Sequence, residues 1–209
     1  MAVAIIDYGM GNIRSVANAV EALGYESRVA DEPRDLAGAS HLILPGVGAF
    51  GDGMRSLRAG GWVDALEEQV LRQGKPFLGI CLGMQFLATA GTEHGTHAGL
   101  DWIHGEVRRL TPGDPQFRVP HIGWDDVRPT RRDGLFSGLG ETEVFYFVHS
   151  YVLVPDDLSL MSGECDYGVS FAASVEMDNV WAVQFHPEKS QRAGLAVLRN
   201  YLETGADTC

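Results

Sequence analysis

The sequence predicts an α/β fold: a central, mostly parallel sheet flanked by helices, with antiparallel strands added in the second half. Three observations predict it. Short apolar runs alternate with helix-period segments through the N-terminal half, as parallel strands covered on both faces by crossover helices require. Glycine-rich turns close two of those runs, at Pro45-Gly46 and at Gly79-Ile80-Cys81-Leu82-Gly83. From Glu106 onward the pattern changes to extended segments punctuated by Pro and Gly.

The elements follow in chain order. Residues 3–8 read as the first buried strand. Ile13, Val16, Ala17, Val20 and Leu23 recur at helical spacing, and Gly24 supplies a stop. Residues 41–44 form a second apolar run. Residues 62–72 are helical in pattern, with Val63, Leu66 and Val70 on one face. Residues 77–80 are a third apolar run, and a helix pattern begins just after Cys81. Segments 106–110, 119–127, 144–154, 169–175 and 180–185 read as strands, the antiparallel addition. Residues 190–203 read as a closing helix, with Ser190 as N-cap and Leu195, Leu198 and Leu202 along one face.

Composition narrows the function classes. The chain has 209 residues and is 45% hydrophobic, enough for one substantial core. A net charge of −12 repels phosphate backbones, so no nucleic-acid partner is expected. Arg128-Pro-Thr-Arg-Arg132 is the densest basic patch and reads as a solvated turn. No apolar run reaches the ~18 residues of a spanning helix, and no membrane partner is expected. The first residues lack the basic region and cleavage site of a secretory signal. Three widely spaced cysteines, Cys81, Cys165 and Cys209, give no disulfide framework, which points to a reducing, cytoplasmic setting.

In that setting a well-placed Cys is a candidate nucleophile. An apolar strand running into Gly79-Ile80-Cys81-Leu82-Gly83 and then a helix pattern has the form of a nucleophile elbow. Such a turn strains its central residue and leaves no room for side chains beside it. A thiol at a helix N-terminus is favoured as thiolate. The Leu82 N–H is placed to hold an oxyanion. The alternative for this segment alone is a buried, inert Cys.

A thiol nucleophile needs a base, and the base an orienting acceptor. Near the C-terminus stands Val183-Gln-Phe-His186-Pro-Glu188-Lys-Ser190. In an extended segment His186 and Glu188 project to one side, so the carboxylate can hold the imidazole in one tautomer. Alone, such a pair is equally a His ending a strand beside a surface Glu. The turn Pro45-Gly46-Val47-Gly48-Ala49-Phe50-Gly51 follows a core strand, where parallel sheets bind ligands. Backbone N–H groups around Val47 and Gly48 are candidates for a second oxyanion donor, against an ordinary surface turn. No Lys-Ser or Lys-Thr follows the glycines, so it is not a phosphate loop.

Together PGVGAF, GICLGMQ and QFHPEKS, in that order, resemble the triad-type (class I) glutamine amidotransferases. The segments from Ile6 to Ser15, His121-Ile-Gly-Trp124 and Tyr146-Phe-Val-His149-Ser-Tyr151 are similar to those of the glutaminase subunits of imidazole glycerol phosphate synthase. The resemblance covers nearly the whole chain. It implies a flavodoxin-like fold in one domain over residues 1–209, glutamine as substrate, and no cofactor or metal. It also implies a (β/α)₈-barrel cyclase subunit as partner and a role in histidine biosynthesis. Residue by residue, it implies Cys81, His186 and Glu188 as the catalytic set, with Leu82, Val47 and Gly48 serving the oxyanion. Gln85, Ser150 and Tyr151 would bind glutamine; Asn12, Trp124, Tyr146 and Lys189 would face the partner. Asp125 departs from the Asn that usually follows the Trp, and Asp101 from a commoner Gly.

The alternatives are the glutaminase subunit of another synthase, such as anthranilate synthase, a stand-alone Cys hydrolase, or a binding module without chemistry. His94-Gly-Thr-His97 has a metal-like spacing but no third ligand and reads as a solvated loop. Cys165 and Cys209 read as a packed and a terminal thiol. His41, His104 and His121 read as structural, and His149 has no chemical step assigned.

Overall fold

The structure is a computed structural model that describes residues 2–204. The large sheet contains β1 (Ala2–Ile6), β2 (Glu26–Ala30), β3 (His41–Gly46), β4 (Phe77–Cys81), β8 (His121–Pro129), β9 (Glu143–His149), β11 (Met161–Asp166), β12 (Ser170–Met177) and β13 (Val180–Val183). Its order is β2-β1-β3-β4-β13-β12-β11-β8-β9. From β2 to β13 neighbours run parallel, and the remaining pairs are antiparallel. A smaller sheet, in the order β10-β7-β5-β6, holds β5 (Ala88–Gly91), β6 (His97–Ala98), β7 (Ile103–Arg109) and β10 (Tyr151–Pro155). The helices are α1 (Ile13–Ala22), α2 (Phe50–Ala59), α3 (Trp62–Leu66), α4 (Leu82–Gln85) and α5 (Gln191–Glu203). Among the described residues no helix is long and apolar enough to cross a membrane.

The continuous apolar runs become the central strands because both faces of the sheet are covered. Strands β3 and β4 are buried at every residue. Alternate residues of β1 feed two separate cores: Ala4 and Ile6 join one, Val3 and Ile5 the other. The second core also receives Val197, Leu198, Tyr201 and Leu202 of α5, with Phe145 and Phe147 of β9.

Several expectations need correction. Segment 144–154 is two strands, β9 and β10, in different sheets; the chain bends at Ser150 and changes layer. The helix after Cys81 is one turn long before the chain turns into β5. Segment 62–72 starts as α3 but continues as a π-helix over residues 67–72. Strand β2, sequence Glu-Ser-Arg-Val-Ala, carries too little apolar character to be legible, since it lies at the sheet edge.

Candidate active site

The carboxyl ends of β3, β4 and β13 meet side by side. Gly46 pairs with Cys81, and Ile80 pairs with Val183. Cys81 is the last residue of β4 and holds φ 55° and ψ −107°, a conformation that only a tight turn imposes on a side-chain-bearing residue. The flanking glycines explain how the turn closes. A Cβ on Gly83 would lie 1.9 Å from the Leu44 carbonyl oxygen, and one on Gly79 2.7 Å from the Gly83 oxygen. Because α4 spans only Leu82–Gln85, the dipole support expected from a full helix is confined to a single turn.

His186 follows β13 with extended φ and ψ, and Pro187 then opens a 3-10 turn through Lys189. The expected extended stretch is therefore a turn, and Glu188 reaches the imidazole from inside it. His186 Nδ1 and Glu188 Oε1 are 2.8 Å apart, with both side chains at most 3% exposed. Nε2 is buried and has no hydrogen-bond partner. Burial opposes charge on this ring, but the Cys81 sulfur and the Glu188 carboxylate outweigh it and raise His186 to about 9. Ser190 sits at the N-cap of α5 without capping it. Its hydroxyl instead donates to the His186 carbonyl at 2.6 Å and accepts from the Tyr146 N–H at 2.9 Å. The His186 N–H donates to the Tyr146 carbonyl, also at 2.9 Å. The imidazole is thus clamped to β9 through its backbone on both sides.

Cys81 and His186 line one cavity of about 280 Å³, together with Val47, Gly48, Leu82, Gln85, Ser150 and Tyr151. Of the four predicted groups of residues, three line this cavity or, as Glu188 does, stand directly behind it; the group expected to face a partner does not. Gly48 adopts φ +98°. The Val47 N–H donates to the Met10 carbonyl at 3.4 Å and so is engaged away from an oxyanion. Gln85 spends both side-chain N–H groups, on the Tyr151 carbonyl at 2.9 Å and on Gln184 Oε1 at 3.0 Å.

Three lining or adjoining residues escaped sequence reasoning. Gln184 is fully buried and donates to the Cys81 sulfur at 3.6 Å. Its signal was its place two residues before His186. Glu93 lines the cavity and accepts from the Phe50 N–H at 2.9 Å; nothing local marks it. His149 lines the cavity too.

Among the residues expected to face a partner, Trp124 is 46% exposed and its ring lies 5.7 Å from that of Tyr146. Lys189 Nζ sits 5.6 Å over the Tyr146 ring. Asn12 caps α1, its Oδ1 accepting from the Ser15 N–H at 3.4 Å. Cys165 is buried, and burial followed by its acidic neighbours pushes it up to about 12, an inert thiol. Cys209 lies outside the described residues.

A strained thiol, an imidazole beside it and a carboxylate behind, at the carboxyl end of a parallel sheet, form the outline of a thiol-dependent acyl-transfer enzyme. The family described as Glutamine amidotransferase class-I matches residues 4–204, and the chain belongs to it as an enzyme of that class. Within it, the chain is 50% identical over 204 residues to imidazole glycerol phosphate synthase subunit HisH of Syntrophotalea carbinolica, covering 95% of this chain and 98% of that one. The subunit HisH of Aquifex aeolicus is 47% identical, with 96% of each chain covered. Solved structures share the fold. One described as a glutamine amidotransferase superposes with a TM-score of 0.75 at 22% identity over 96% of this chain and 97% of that one. PurLQS from Thermotoga maritima superposes with 0.74 at 20% identity, covering 97% of each.

Proposed function

We propose that Cys81, His186 and Glu188 are the catalytic set with which this chain hydrolyses glutamine. The chain works as the glutaminase subunit of imidazole glycerol phosphate synthase, in line with relatives of 44–50% identity across nearly its full length. The observation that carries the residue assignment is the buried 2.8 Å His186–Glu188 pair, whose free Nε2 stands beside the cavity that Cys81 opens into.

In this reading the Cys81 thiolate attacks the side-chain carbonyl of glutamine. The Leu82 N–H and the Val47–Gly48 loop hold the oxyanion. His186 protonates the departing ammonia and then takes a proton from water, which cleaves the thioester to glutamate. Glu188 keeps the imidazole in the tautomer that presents Nε2 to the sulfur. With both Gln85 N–H groups spent, its carbonyl oxygen and the Glu93 carboxylate are left as acceptors for the α-ammonium. Backbone N–H groups at Ser150 and Tyr151 serve the α-carboxylate. The Val47 N–H must leave Met10 before it can act as a donor, so the resting chain is a poor glutaminase and a partner's binding completes the site.

The partner is a (β/α)₈-barrel cyclase subunit, which receives the ammonia internally and forms imidazole glycerol phosphate. Trp124, Tyr146 and Lys189, with Asn12, form the face toward it.

Cys81→Ala tests the assignment. The complex with the cyclase should lose glutamine-dependent synthesis and keep ammonium-dependent synthesis. Retained glutamine turnover overturns it.

A further inference from the structure

From the surface to the cavity lining at His149 runs a hydrogen-bonded chain whose residues Asp125, His121 and His149 the mechanism leaves unused. Asp125 Oδ2 is 2.8 Å from His121 Nε2, and His121 Nδ1 is 3.0 Å from His149 Nε2. His149 Nδ1 is 3.1 Å from the Tyr151 carbonyl oxygen. His121 and His149 are directly paired residues of β8 and β9. That same Tyr151 oxygen accepts from Gln85, which donates in turn to Gln184, the donor to the Cys81 sulfur. The chain therefore runs unbroken from a surface carboxylate, 36% exposed, to the nucleophile.

Counting protons decides its state. Its two ends, carboxylate and carbonyl, both accept. Three contacts separate them, and two neutral imidazoles supply two protons. If those protons go to the ends, the facing nitrogens of His121 and His149 oppose lone pair to lone pair at 3.0 Å, inside the protein. A third proton satisfies every contact, and placed between the rings it leaves Asp125, whose side chain is 36% exposed to water, as the solvated carboxylate.

We infer that Asp125, His121 and His149 hold this third proton between the two rings, and that it makes Asp125 a positioning residue for the glutaminase site. The proposal rests on the catalytic reading given above. Burial disfavours charge on either ring taken singly: it pushes His149 down to about 3, with His121 and His186 adding to the effect, and it lowers His121. Taken with the carboxylate, however, the chain bearing the third proton is the neutral one, and losing it leaves a net negative charge. The surroundings hold it in place. His121 is stacked between Phe147 at 4.7 Å and Tyr167 at 3.9 Å, and Tyr167 donates its own proton to the Arg118 carbonyl. From β11 Cys165 feels Asp125, and His186 and Cys81 share the cavity with His149.

The sign follows. The proton is present at low pH and lost as pH rises; without it the rings repel, His149 moves, and the line through Tyr151 and Gln85 to Cys81 slackens. In an Asp125→Asn variant the amide donates to His121 Nε2. Both rings then pass their single protons along, and the chain is satisfied with nothing left to titrate.

The test is ¹⁵N NMR of histidine-labelled full-length protein in complex with the cyclase, across a pH series, beside glutamine turnover. In the wild type, the His121 Nε2 and His149 Nδ1 signals should be protonated at low pH and one ring should convert as pH rises. Turnover should fall through the same step, by at most about tenfold per pH unit, the limit for loss of one proton. The Asp125→Asn complex should show two fixed acceptor nitrogens, no conversion and no such fall. Identical ring spectra in the two proteins, or a wild-type turnover that ignores the conversion, overturn the inference. Failure of the catalytic reading is told apart by glutamine turnover that survives Cys81→Ala, which leaves the ring spectra readable.

Discussion

At the scale of single residues the site depends on who holds which proton. Glu188 is 1% exposed and makes its bond to His186 from within a turn, so it has no mobile substitute. His186 stands at about 9 against an ordinary 6.5, despite burial, because Cys81 and Glu188 favour its charged form. A pKa raised by folding adds stability that is full below about 6.5 and disappears as pH climbs through about 9. Glu188→Gln removes one of the raising groups. Thermal unfolding followed from neutral to alkaline pH should then lose this contribution at lower pH than in the wild type. Glutamine turnover by the complex should drop on the order of 10²–10⁴-fold, since the ring is left free to adopt the wrong tautomer. Cys81 and the His-x-Glu pair could be singled out in the chain as candidates because a thiol between glycines after a strand, and an imidazole two residues from a carboxylate, are patterns of residue type and spacing. Gln184 and Glu93 could not, because only folding sets the amide beside the Cys81 sulfur and the carboxylate at the cavity.

At the scale of elements, the strand β4, the turn at Cys81 and the single-turn α4 act as one unit wedged beside β3. The unit exists only because Gly83 allows its backbone against the Leu44 carbonyl, where a Cβ would stand at 1.9 Å. Backbone cannot swing aside as a side-chain tip can. Gly83→Ala should therefore force β3 and the elbow apart, lowering stability by about 3 kcal/mol or more and abolishing glutamine turnover even where the protein still folds. Denaturant midpoints and turnover of the complex check both effects. This element was legible because its steric demands are local: strand, glycine, nucleophile, glycine. The length of the following helix was not, because residues 82–90 carry apolar side chains compatible with either a helix or a buried strand. Likewise 144–154 reads as one extended run, and only the pairing partners divide it between two sheets at Ser150. Ser190 is the converse. A serine before a helix reads as a cap by local rules, but β9 offers the hydroxyl better-placed partners.

At the scale of the whole molecule, α5 is tied to the sheet through Tyr201, whose single hydroxyl proton lies between the carbonyls of Leu42 at 2.7 Å and Pro76 at 3.0 Å and whose oxygen accepts from the Leu42 N–H at 3.1 Å. These contacts join α5 to β3 and to the residue that precedes β4, the two central strands that also carry the site. We propose that the chain unfolds as one cooperative domain. Tyr201→Phe should lower its stability by about 0.5–1.5 kcal/mol through loss of the hydroxyl's bonds, since the Leu42 N–H and the Pro76 carbonyl still hold each other at 2.9 Å. A single denaturant transition should shift to lower midpoint with unchanged slope; two separate transitions would contradict one domain. What the chain alone carried was the α/β alternation and the strained turn around Cys81, because helix and strand periods and turn sterics act over a few residues; His186 and Glu188 were marked only as a candidate pair, and the 3-10 turn at Pro187 is what joins them. Only the tertiary structure decided that Gly46, Cys81 and Val183 end side by side, that the Val47 N–H turns to Met10, and that His121 meets His149 across β8 and β9. Strand order and register bring together residues far apart in the chain, and no local rule encodes which of them will be neighbours.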